Sequence, residues 1–95
     1  MGVQDGHRQI LITGVVTAQP VGPPCNMKVV DGWWQNYASG DTFSFIDAKG
    51  LTFTFEPAST LAPVAIGKLD WIEGPLTVTT TGSATQKVYF ILGNK

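Results

Sequence analysis

The chain reads as an all-β protein: a single β-sandwich, jelly-roll-like, of about six to eight mainly antiparallel strands. Three observations predict this. No stretch spaces its apolar residues at helical intervals. Apolar residues recur at alternate positions in segment after segment, and Gly, Pro, Asn and Asp separate those segments every 8 to 14 residues or so. A chain of 95 residues has room for one domain. On folding it buries about two thirds of its extended surface, enough for one thin core.

Met1 to Arg8 carries two glycines, the sole His and the sole Arg, with few apolar residues. Residues 1–8 are therefore expected as a flexible arm, ordered only against a neighbour, and residues 9–95 as the sandwich. Gln9 to Thr17, rich in Ile, Leu and Val, is the first predicted strand. Ala18 to Asn26 holds Pro20, Gly22, Pro23 and Pro24 and reads as a stiff extended loop without regular pairing. Met27 to Gln35 resumes a strand and carries Trp33 and Trp34; Ala38-Ser39-Gly40 turns the chain.

The strongest local signal follows. Phe43 and Phe45 alternate with Thr42, Ser44 and Ile46, and Phe53 and Phe55 alternate with Thr52, Thr54 and Glu56. Asp47-Ala48-Lys49-Gly50 lies between them, so Asp41 to Glu56 is predicted as one hairpin with its four phenylalanines in the core. Pro57 to Pro63 connects to a short edge strand at 64–67. Leu69 to Glu73 is a strand that Gly74-Pro75 breaks, and Leu76 to Thr81 alternates again. In the last strand, Thr85 to Leu92, Val88, Phe90 and Leu92 face one way while Tyr89 and Ile91 face the other. Apolar residues on both faces predict a strand covered on both sides.

Adjacent strand residues point to opposite faces, so one of Trp33 and Trp34 belongs to the core and the other to an outer surface; the register does not say which. An outward Trp marks a protein interface or a platform for a sugar ring. Trp71 poses the same question. The expected contact residues are thus Trp33, Trp34, Trp71, Tyr89 and Ile91, with His7 and Arg8 from the arm.

Charged residues make up 14 per cent of the chain and the formal net charge is −1, where an average domain has about 25 per cent charged residues. Mean hydropathy is +0.11. Such a shortage points to a surface covered by a partner, or to a Thr-, Ser- and Gly-rich exterior. The six Lys and Arg are scattered, which argues against nucleic acid as a partner. No apolar run is long enough to span a membrane as a helix, and the first residues lack the plan of a secretion signal, so nothing marks the chain for export.

Signals for catalysis are weak. His7 lies outside the predicted sandwich and Cys25 sits in a proline loop, so neither has a rigid catalytic partner. One His and one Cys cannot build a zinc site, and Asp41, Asp47 and Asp70 read as turn residues rather than calcium ligands. No enzyme activity, cofactor or metal is expected.

Three segments together resemble the small decoration, or cement, proteins of tailed bacteriophages. The first is the Trp strand followed by Gly-Asp-Thr-Phe-Ser-Phe-Ile-Asp-Ala-Lys-Gly, Gly40 to Gly50. The second is Asp70-Trp71-Ile72-Glu73-Gly74-Pro75-Leu76-Thr77-Val78-Thr79-Thr80, and the third is Gly82 to Leu92 with Val88-Tyr89-Phe90-Ile91-Leu92. The likeness spans residues 33–92; Pro75 and the proline loop at 18–26 depart from it. It implies a jelly-roll-like sandwich on the outer capsid surface of a virion, bridging neighbouring major capsid protein subunits, often as a homotrimer. A carbohydrate- or receptor-binding module of a phage tail or fibre is the alternative.

Overall fold

The computed structural model describes residues 2–6 and 8–94, apart from the side chains of Trp71 and Asn94. The described residues form ten strands and no helix: β1 (Gly2–Asp5), β2 (Gln9–Thr13), β3 (Gln19–Val21), β4 (Asn26–Gln35), β5 (Thr42–Ile46), β6 (Thr52–Phe55), β7 (Val64–Ala65), β8 (Leu69–Glu73), β9 (Leu76–Thr81) and β10 (Lys87–Asn94). One sheet runs β1-β2-β10-β4-β7, with β8 also paired to β4; the other runs β3-β9-β5-β6. All recorded pairings are antiparallel. If β7 and β8 are counted as two halves of one strand and β1 is set aside, the order is that of an eight-stranded jelly roll. The expected sandwich is therefore present.

The core lies between the sheets. Ile10 and Ile12, Met27, Val29 and Trp34, and Val88, Phe90 and Leu92 face Val21, Phe43, Phe45, Leu76 and Val78 across it. In the predicted hairpin Phe43 pairs with Phe55 and Phe45 with Phe53, and each pair stacks at 4.8 Å. Phe43 and Phe45 are fully buried; Phe53 and Phe55, on the outermost strand, are half-buried. Asp47 organises the turn: one carboxylate oxygen accepts from Lys49 N–H (3.0 Å) and Leu51 N–H (2.9 Å), and its carbonyl accepts from Gly50 N–H (3.0 Å). Gly50 has φ 92°, a left-handed conformation that a Cβ would strain.

Two segments differ from expectation. Gly2–Asp5, expected within a mobile arm, forms an edge strand along β2, with Val3 opposite Ile12 and Asp5 opposite Ile10. Val3 packs on the core, and the Asp5 carboxylate accepts from Gly22 N–H at 3.0 Å. Main-chain pairing orders a segment whose side chains could not. In the proline loop, Gln19–Val21 pairs with β9 at the sheet's edge, where the missing N–H of Pro20 is tolerated. These two short strands, of four and three residues, account for the count above eight; the two-residue β7 falls within the short edge strand expected at 64–67.

Candidate interaction surface

Strand β4 decides which tryptophan faces out. Met27 and Val29 point inward, but the pairing with β10 shifts by one residue between Leu92↔Val29 and Ile91↔Asp31, leaving Val30 as an extra residue. Beyond this bulge the inward positions are Gly32 and Trp34. Trp34 is fully buried. It stacks on Tyr37 at 4.2 Å, lies 5.8 Å from Phe43, and its Nε1–H donates to Gln86 Oε1 at 3.0 Å. Gln86, also fully buried, donates in turn to the carbonyls of Thr81 (2.9 Å) and Ser83 (3.0 Å). Trp34, an expected contact residue, is thus a core residue.

Trp33 is 37% exposed on the opposite face. The registers place Leu11, Tyr89, Trp33 and Ala65 directly across from one another on β2, β10, β4 and β7, with Gln4 continuing the row on β1. Trp33 meets Tyr89 edge-on, with ring centroids 5.7 Å apart at 67°. Ile91, half-buried, lies one step along β10 between Gln9 and Asp31, and Val30 is 39% exposed at the bulge. Gly32 lets the strands close beneath this row: a Cβ there would lie 2.6 Å from the Tyr89 carbonyl oxygen and 2.8 Å from Ile66 Cδ1.

Two shallow depressions open on this part of the molecule. One, of about 160 Å³, is lined by Gln4, Gln9, Ile10, Leu11 and Tyr89; the other, of about 270 Å³, by Lys28, Val29, Val30, Lys68 and Asp70. Of the other expected contact residues, Arg8 is exposed and its carbonyl accepts from Leu92 N–H at 2.7 Å, at the end of β2. His7 and the side chain of Trp71 lie outside the described residues. Trp33, Tyr89 and Ile91 therefore share one face. Leu11, Val30 and the two glutamines were missed. Leu11 carried the same signal as Tyr89, an apolar residue between the inward Ile10 and Ile12.

The carboxylates serve turns. Asp41 is buried and accepts from Ala38 N–H (2.8 Å), Ser83 N–H (3.0 Å) and Ser83 O–H (2.6 Å). Burial pushes its pKa up, and the Ala38 and Ser83 hydrogen bonds outweigh that, holding it below the ordinary carboxylate value. Asp47 Oδ2 is buried without a hydrogen-bond partner among the described residues. Cys25 is exposed. Among the described residues no three His, Cys, Asp or Glu side chains gather in a group that could hold a metal ion, and no helix is long and apolar enough to cross a membrane. Comparison with family models, curated proteins and solved structures gives no match.

Proposed function

We propose that this jelly roll is a virion decoration protein of the tailed-phage type, which binds the outer capsid surface through the Leu11–Tyr89–Trp33 row and strengthens contacts between neighbouring major capsid subunits. The observation that carries the reading is that row: a Trp, a Tyr and aliphatic side chains aligned across the outer face of the larger sheet of a charge-poor chain. Trp and Tyr anchor protein interfaces because they remove large apolar area from water at little entropic cost, while the Tyr hydroxyl and the Trp N–H still find partners. The Lys28, Lys68 and Asp70 side chains beside the second depression supply a polar rim.

The mechanism is adhesion, without catalysis or cofactor. A specific contact buries about 1,200–2,000 Å² in total, roughly 800 Å² on each partner, against a surface of 5084 Å² for this chain. Repetition over a symmetric shell sums many such contacts against the outward pressure of packaged DNA, and self-association would let one copy hold the next.

A second reading, a carbohydrate- or receptor-binding module, draws on the 160 Å³ depression, where the Gln4 and Gln9 amides lie beside Tyr89 as hydrogen-bonding groups for a sugar. Co-sedimentation of the purified chain with undecorated phage heads tests the first reading. Saturable binding, weakened at least tenfold by Trp33→Ala, is expected. No binding to heads, together with a Trp fluorescence shift on adding a glycan, would replace it with the second.

A further inference from the structure

The outermost strands end their sheets in different ways. β1 ends in Asp5, β3 contains Pro20, β7 is two residues long, and β8 carries Asp70 and Glu73. Charge, proline and brevity are the usual means of keeping a sheet edge from pairing with another chain. β6, Thr-Phe-Thr-Phe, is as short as β1 and is followed by Glu56 and Pro57, but it has no charge or proline within it, and among the described residues no strand lies beyond it. The sandwich is also thinly closed on this side. Phe53 and Phe55 are half-buried, as are Val64 and Leu69 on β7 and β8, and Leu51 at the head of β6 is 55% exposed.

The hairpin register shows which main-chain groups face outward. Asp47 N–H donates to the Leu51 carbonyl. Leu51, Phe53 and Phe55 therefore direct their N–H and C=O groups to β5, and Thr52 and Thr54 direct theirs away from it. An antiparallel neighbour must place inward side chains opposite inward ones. It must also set hydrogen-bonding residues opposite hydrogen-bonding residues.

We infer that β6 pairs with β6 of a second copy of this chain about a two-fold axis at Thr54, joining the two four-stranded sheets into one. In that register Thr54 faces its own copy, Thr52 faces Glu56, and Phe53 faces Phe55. The Thr54 and Thr52–Glu56 positions form about six main-chain hydrogen bonds. The phenylalanines fall at the closely spaced, non-hydrogen-bonded positions and cover one another. Leu51 meets Pro57, at a position that needs no N–H toward the partner. The two Glu56 carboxylates stand about 13 Å apart along the strands, so no like charges oppose each other directly. One strand is complementary to itself, and this is the requirement of a two-fold contact. Pairing consumes the β6 edge of both copies, and the far edge of the joined sheet is β3 with its proline, so the assembly closes at two. This contrasts with the trimer that the phage resemblance implies.

The test uses the purified chain alone, so it is independent of capsid binding. Sedimentation equilibrium at about 100 µM is expected to give twice the 10.2 kDa chain mass. Thr54→Lys sets two ammonium groups face to face on the axis and should raise the dissociation constant at least tenfold while the melting curve stays that of a folded sandwich. In a Cys25→Ser background, Thr54→Cys should form an intermolecular disulfide, because the paired Cα atoms lie about 5.5 Å apart. Thr52→Cys should not, its copies being about 13 Å apart. A monomer at this concentration, equal cross-linking at 52 and 54, or a dimer that Trp33→Ala dissociates and Thr54→Lys does not, overturns the pairing.

Discussion

The two outer faces of the sandwich rest on one core and meet water on different terms. Over β2, β10 and β4 the outward positions include an apolar cluster, Leu11, Tyr89, Ile91, Val30 and Trp33, bordered by Gln9, Lys28, Asp31, Gln35 and Lys87. Over β9, β5 and β6 they are Thr77, Thr79, Thr81, Thr42, Ser44, Thr52 and Thr54, with Ile46 the one large apolar exception. Hydroxyls of the second face bond to one another and to the backbone: Thr42 and Thr81 share a hydrogen bond, and Thr79 Oγ1 accepts from Ala18 N–H. A shortage of charge can mean a covered surface or a hydroxyl-rich one. The hydroxyl-rich face accounts for the shortage, since none of its sheet's four strands carries a charged residue; the other face sets charged residues around an apolar row, and that row calls for a partner.

The largest expected effect tests the core beneath both faces. Trp34→Ala removes a fully buried indole, its stack on Tyr37 and the donor to Gln86. It should cost about 3–5 kcal/mol in urea unfolding, much of a small domain's stability. A loss under 1 kcal/mol would mean that the strand sits in the other register, with Trp33 inside. That register was the part of the site least legible in the sequence. Read at period two from Met27 and Val29, β4 puts Trp33 in the core; the bulge at Val30 reverses the parity, and its cause is tertiary, the fit of β4 to β10. The hairpin at 41–56 was legible because its alternation and its turn agree locally. The strand at 2–5 was not, because its order comes from β2, a partner whose pairing no local pattern reveals.

Next in size is Trp33→Ala, the outward counterpart. It should change unfolding free energy by no more than about 1 kcal/mol and weaken attachment to undecorated heads by about 2 kcal/mol, a hot-spot loss. The pair Trp33 and Trp34 thus separates stability from binding at adjacent residues. Equal stability losses for both variants, or unaltered head binding by Trp33→Ala, would remove the distinction between inner and outer face on which the proposed function rests.

Acidification should act on both sheets at once. Asp41 opens β5 in one sheet and bonds Ser83 in the turn from β9 to β10, which leads into the other. Its carboxyl titrates lower in the folded chain than in the unfolded one, so the carboxylate form favours folding. That contribution is fully present above the unfolded value of about 3.8 and is lost as pH falls through the lower folded value. Unfolding free energy measured from pH 6 downward should therefore fall in the acid range for the wild type. Asp41→Asn should be less stable at pH 6 and should show a shallower decline. An identical acid slope in both proteins would place the linkage elsewhere.

The smallest effect belongs to the hydroxyl face. Thr77 points outward from β9, with Pro20 on one side and Ile46 on the other. Thr77→Lys keeps the backbone pairing, lays a methylene stem over Ile46 and puts an ammonium in water. The change should move unfolding free energy by about 0.5 kcal/mol or less, and head binding within error, because that face is already satisfied by solvent. The control is Leu11→Lys on the other face, the same charge placed in the Tyr89–Trp33 row. Its stem can likewise lie along the sheet, but an ammonium buried at the centre of a contact has no partner there and should cut binding at least tenfold. If Thr77→Lys abolishes attachment and Leu11→Lys spares it, the threonine array is the docking face and the aromatic row looks out from the shell.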